Sequence, residues 1–226
     1  VHSMRRLFSF LILAALSLSL PKQGGAMEIS AAGVPPDVVG DKNYARVFSK
    51  LAQNGISSFV PTFQYVEVPR AKSLGFESDF VPPCQASDPA FAALRNSSVK
   101  LILPADILYP NPGQIGRGQD PLLQLIECAG RDNIRAVANY DEAILNGIAE
   151  RHVKAVYDHI KSVVPDMPVI MVHAPMFTDR QEHASANRRS DYLRKVQSYS
   201  RYGDIVGFDV YPHPAPLAKL TTRIFL

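Results

Sequence analysis

Five places in the chain set polar or aromatic residues at the end of a short apolar run: Gln64 with Tyr65, Asp106, Asp141 with Glu142, His173, and Asp209 with Tyr211. Such a set offers acid–base chemistry at paired carboxylates, with amide, imidazole and phenol groups to hold hydroxyls. Asp141 and Glu142 are the sharpest candidates. Like charges that close resist joint ionisation, so one carboxyl of the pair can keep a proton near neutrality. A folded domain tolerates the pair either at a surface or at a site that uses it. The plainer roles are a solvated helix cap for Asp141-Glu142, a turn former for Asp106, a backbone partner for Asp209 and a satisfied rim residue for His173.

Each candidate needs an element to carry it. Asp141 and Glu142 follow Ile134 to Ala138, IRAVA, which reads as a buried strand. A glycine-containing turn through Gly147 comes next, then a helix from Ile148 to Val164. That helix lays Ala149, Val153, Val156, Ile160 and Val163 along one stripe, and Pro165 ends it. His173 closes the strand Pro168 to Val172. Asp106 follows Val99 to Pro104, Asp209 follows Asp204 to Phe208, and Gln64 and Tyr65 follow Ile56 to Pro61. Upstream, Glu28 to Val34 is a further strand. Asp41 is expected to cap a helix with Tyr44, Val47, Phe48 and Leu51 at helical spacing, stopped by Gly55. Asp88-Pro89 and Asp120-Pro121 each place a capping residue before a proline at the first helical position. Asp191 to Arg201 predicts a helix with Leu193, Val196 and Ser200 turned inward. His152 and His159 fall on the long helix, outside the sheet, and receive no role.

Strand and helix alternate throughout, so the class is α/β with a parallel sheet. The last four strands begin near Val99, Ile134, Pro168 and Asp204, a step of about 35 residues. That step matches one unit of a TIM-barrel-like (β/α) repeat, in which eight units take about 250 residues. Six strands and five helices are recognisable, so about six of eight units are expected, with truncation after the sixth strand and no element assigned to Leu217 to Leu226. A doubly wound sheet is the alternative, but no Gly-rich phosphate turn follows the first strand. An open six-strand wall leaves two unpaired edges, so self-association through them is expected.

The ending of the fourth strand, NYDEA over residues 139–143, and of the sixth, GDIVGFDVYP over 203–212, resemble those of the retaining glycoside hydrolases built on TIM barrels. The passage AVYDHIKSVVPDMPV between them is similar too. The resemblance spans roughly Glu28 to Pro214 and rests on short motifs. It implies a glycoside or polysaccharide substrate and Glu142 as general acid/base, with Asp141 beside it. It also implies that Gln64, Tyr65, Asp106, His173, Asp209 and Tyr211 bind sugar hydroxyls. The sequence departs from the pattern where Asp141 stands for the usual Asn and Ala143 for the usual Pro. The family's nucleophile sits on a seventh strand that this chain does not show, and there is no Trp to form a sugar platform.

Composition narrows the partners. From Met4, Arg5 and Arg6 precede the apolar run Leu7 to Leu20, and Pro21 to Ala26 supplies a small-residue end. This reads as a secretory signal peptide over residues 1–26, followed by the incomplete barrel domain over 27–226. The apolar run is about 14 residues, short of the roughly 20 that span a bilayer. No stable membrane span is therefore expected after cleavage, and the location is secreted or periplasmic. The formal charge of +3 equals the contribution of Arg5, Arg6 and Lys22, so the mature chain is near neutral and nucleic acid is excluded as a partner. Cys84 and Cys128 can pair in an exported protein, but one lies in a loop and one in a predicted helix, which leaves the pairing open. No cofactor is expected. Two other functions fit the same residues. One is a metal-dependent sugar isomerase or lyase using Glu142, His173 and Asp209. The other is a non-catalytic carbohydrate-binding remnant.

Overall fold

The structure, a computed structural model, describes residues 29–32, 43–61, 80, 82–111, 113, 115–176 and 185–208. The strands are β1 (Ile29–Ala32), β2 (Ile56–Val60), β3 (Lys100–Pro104), β4 (Ile134–Ala138), β5 (Val169–His173) and β6 (Ile205–Phe208). The helices are α1 (Tyr44–Gln53), α2 (Pro89–Arg95), the single turn α3 (Ala105–Leu108), α4 (Pro121–Ala129), α5 (Glu150–Val163) and α6 (Arg189–Tyr199), with 3-10 turns at Arg131–Asn133 and Ser200–Tyr202. All strand pairs are parallel, and the six strands lie side by side in chain order. A doubly wound sheet reverses its strand order at a switch point. This sheet does not, and its order is that of a barrel wall.

Register sorts the side chains into two rows. Phe59 lies beside Leu101, Leu103 beside Val137, and Val137 beside Val169. These residues and Met171 share one apolar core with Phe48, Phe91, Leu94, Leu122, Leu125, Val153, Val156 and Ile160 from the helices. Ser58, Ile102 and Ala136 are buried on the opposite row. The α5 stripe falls as its period predicts, with Val153, Val156 and Ile160 buried. Gly203 brings the turn after α6 close against β5: a Cβ there would lie 2.8 Å from the Met171 Cβ.

Several local expectations are corrected. The cap of α1 is Asn43, whose Oδ1 accepts from the Arg46 N–H at 3.2 Å, while Asp41 lies outside the described residues. Asp88 makes no cap bond; its Oδ2 accepts instead from the Gln85 N–H at 2.9 Å. Asp120 does cap α4, accepting from the Leu122 and Leu123 N–H groups. On α6, Val196 packs against the core and Ser200 meets His173 as expected, but Leu193 is exposed and the fully buried residues are Tyr192 and Tyr199. Both phenols end on carbonyls, Tyr192 on Ala174 and Tyr199 on Ile148, so they bury area without stranding a hydroxyl. Cys84 and Cys128 form a disulfide with their Cα atoms 6.2 Å apart. The geometric objection to their pairing fails because α2 and α4 pack together and carry the loop cysteine to the end of α4. Among the described residues, no helix is long and apolar enough to cross a membrane.

Candidate functional site

The chain leaving β4 is held at almost every step. The Asn139 N–H extends the ladder to the Ile170 carbonyl at 2.8 Å. Its side-chain amide donates to the carbonyls of Val153 on α5 and Tyr202 beyond α6, both at 3.2 Å. Its Oδ1 accepts from the Tyr140 N–H at 2.9 Å. Asn139 therefore points into the helix layer and ties two helical segments to the strand. Tyr140 is also buried and donates its hydroxyl to the Tyr109 carbonyl at 2.9 Å. Burial raises the pKa of that hydroxyl, and the charge of Asp106 adds to the effect.

After these anchors the backbone turns sharply. Glu142 adopts φ 44°, the left-handed region that L-residues avoid. Around it, the Asn146 N–H donates to the Glu142 carbonyl at 3.0 Å, Asn146 Nδ2 to the Asp141 carbonyl at 2.9 Å, and the Ile148 N–H to the Ala143 carbonyl at 2.9 Å. Ala143 and Ile144 are buried beneath the turn. The two neighbouring carboxylates are thereby set in different surroundings: Asp141 is half-buried, whereas Glu142 is 9% exposed. The charge of Glu142 is felt at Tyr192 on α6. Burial first, and the Glu142 charge second, push the Tyr192 hydroxyl up to about 12.

The other candidates are placed differently. His173 alternates with Val169 and Met171 on the helix-facing row and is 1% exposed. Its Nε2 lies 3.0 Å from Ser200 Oγ, its Nδ1 has no hydrogen-bond partner among the described residues, and its ring stands 5.6 Å from that of Phe208. Burial lowers its pKa to about 4, so the imidazole is neutral at pH 7. Asp106 sits in α3, half-buried, with Oδ1 accepting from the Ile107 N–H at 3.1 Å. The structure thus brings Asp106 near Tyr140 and Glu142 near Tyr192, and it puts His173 between sheet and helices. Gln64, Tyr65, Asp209, Tyr211 and the segment 1–26 lie outside the described residues. Among the described residues, no group of three or more His, Cys, Asp or Glu side chains is placed to hold a metal.

Two features were missed in the sequence. One is Tyr192, which carries no signal beyond its place seven residues before Tyr199 on α6. The other is a cluster in the helix layer: Asp120 accepts from the Tyr109 hydroxyl at 3.2 and 3.3 Å and lies 2.5 Å from His159 Nε2. Its saturated bonding and its position as a helix cap give it the character of a structural tie.

No protein-family model matches the chain, and no curated protein matches it. Among solved structures it is similar to an FMN-binding beta-glucuronidase from Facaelibacterium prausnitzii L2-6, at 11% identity and TM-score 0.44, over 84% of this chain and 26% of that one. The chain therefore spans about a quarter of that enzyme's length. The likeness is too weak to carry any residue role across.

Proposed function

We propose that this chain is part of a glycoside hydrolase-like (β/α) barrel, with six of its units present, and that Glu142 is the general acid/base acting on a glycoside or polysaccharide. The observation that carries this reading is Glu142 itself: a buried carboxylate, in a left-handed backbone conformation, at the exit of β4. Parallel (β/α) barrels keep their chemistry at that end of the strands. Strained, non-glycine φ values persist where the surroundings over-determine them, and they concentrate at sites of function. Protonating a glycosidic oxygen needs a carboxyl shielded from water, which 9% exposure supplies. The retaining mechanism also needs a second carboxylate about 5–5.5 Å away. In this reading this chain does not supply it. The segment 1–26 directs export, to the periplasm or beyond the cell. The Cys84–Cys128 disulfide supports this, since such bonds persist in oxidising compartments.

Leaving-group dependence is the test. Removing a general acid costs about 10²–10⁴-fold when the departing oxygen is basic, and much less when it is already a good leaving group. In Glu142→Gln, hydrolysis of alkyl glycosides should fall by about that factor, while dinitrophenyl glycosides should lose far less. The measurement is made on a protein whose barrel includes the second carboxylate, and there equal loss on both substrate types removes Glu142 from the role.

A further inference from the structure

The strained turn at Glu142 follows a residue that is held from outside β4. Tyr140 is buried, and its hydroxyl donates to the Tyr109 carbonyl at 2.9 Å. Tyr109 belongs to the segment after β3, so this bond joins the exits of two neighbouring strands. The Tyr109 ring is anchored in turn. It is buried, stands edge-on to the His159 ring at 5.4 Å, and donates its hydroxyl to the Asp120 carboxylate. Asp120 Oδ1 also accepts from the Leu122 and Leu123 N–H groups at the start of α4, and Oδ2 meets His159 Nε2 on α5. A series of supports, His159, Asp120, Tyr109 and Tyr140, therefore runs from α5 to a point two residues before Glu142.

Both phenols in the series are fixed as donors. Burial raises their pKa values, and the charge of Asp120 adds to this at Tyr109 and that of Asp106 at Tyr140. Each therefore keeps its proton and cannot exchange roles with its acceptor. A backbone conformation that L-residues avoid persists only where its surroundings over-determine it. Downstream, the Asn146 N–H on the Glu142 carbonyl and the Ile148 N–H on the Ala143 carbonyl close the turn. Upstream, the Tyr140 hydroxyl supplies a matching hold from a different strand exit. We propose that Tyr140 is a positioning residue for Glu142, and that Tyr109, Asp120 and His159 support it from behind. Breaking the series loosens the Glu142 turn and leaves the sheet in place. That the group so positioned is catalytic rests on the acid/base reading of Glu142, whereas the hold on the turn does not.

Amide hydrogen exchange of the full chain reads local opening of the turn. Tyr140→Phe removes one oxygen and keeps the ring. It should speed exchange of the Asn146 and Ile148 N–H groups about tenfold, the equivalent of one lost hydrogen bond, while the Asn54 N–H at the end of α1 keeps its rate. His159→Leu should give the same pattern, and His159→Gln, whose amide can still donate to Asp120, should restore the wild-type rates. The double variant Tyr140→Phe with His159→Leu should match Tyr140→Phe alone, because both changes break one series. Unchanged rates at Asn146 and Ile148 in Tyr140→Phe overturn the proposal. So does an equal rise at all three amides, which is general destabilisation, and so do additive effects in the double variant. In the protein used for the leaving-group test, Tyr140→Phe should lower kcat for alkyl glycosides and leave KM unchanged, and an unaltered kcat there overturns the positioning role. Exchange reads the hold on the turn and the leaving-group dependence of Glu142→Gln reads the hydrolase chemistry, so the two fail separately.

Discussion

Glu142 and His173 both keep buried polar groups in costly settings, and each cost can be measured. An L-residue in the left-handed region pays roughly 1–2 kcal/mol that glycine does not, whereas at an ordinary φ glycine is the less stable choice by roughly 0.5–1 kcal/mol. At φ 44° the order inverts. Glu142→Gly should therefore melt about 2–4 °C above Glu142→Ala, although both lose the carboxylate. An alanine variant that equals or exceeds the glycine variant would mean that residue 142 is not left-handed in solution. His173 pays in desolvation, its pKa lowered to about 4. The unfolded chain takes up its proton near pH 6.5, while the folded chain resists until about 4, so stability falls as pH drops through that window. Between pH 7 and 4.5 the wild type should lose roughly 2–3 kcal/mol more than His173→Gln, which can still bond Ser200 but does not titrate. Urea unfolding at the two pH values reads the difference, and parallel losses would show that His173 is solvated.

At the scale of elements, what the sequence disclosed is what local period and local chemistry decide. The β4 strand falls on Ile134–Ala138 because an apolar run ends abruptly at Asn139. The α5 stripe follows from its period, and Asp120-Pro121 announces α4 because cap and proline act within one turn. The misses are decided elsewhere. Leu193 is as apolar as a buried face needs, yet α6 leaves it exposed and buries Tyr192 and Tyr199 beside Val196, because their hydroxyls reach the Ala174 and Ile148 carbonyls that only the assembled fold presents. The Tyr109–Asp120–His159 tie joins residues 11 and 39 positions apart, and no spacing rule links a loop, a cap and a distant helix. Glu142 is the instructive mixture. Its residue type and its place after β4 were visible, but its conformation was not, since neither glycine nor asparagine marks the turn at that position. The carboxylate pair looked like one feature in the sequence, and the left-handed turn divides it.

Across the whole molecule, the Cys84–Cys128 bond is the one covalent tie between separate (β/α) units. It joins the loop before α2 to the last turn of α4, and the Arg95 guanidinium reinforces the junction by donating to the Cys128 and Ala86 carbonyls. The bridged residues are 44 positions apart. Closing a loop of that size removes unfolded-state entropy worth about 4 kcal/mol in the chain-entropy model, and native bridges typically contribute about 2–4 kcal/mol. In an open wall, each (β/α) unit rests on its neighbours, so loosening α2 from α4 also exposes the aromatic packing of Phe48, Phe59, Phe80 and Phe91 beneath them. Reduction, or Cys84→Ser with Cys128→Ser, should lower Tm by about 5–15 °C for a domain of this size. The double variant should then be indifferent to reductant. A wild-type melt that ignores reductant, together with two titratable thiols in the native chain, would mean that the bridge does not form and would remove the structural support for export. If the melt falls as expected, a chain kept in a reducing compartment would be the less stable form.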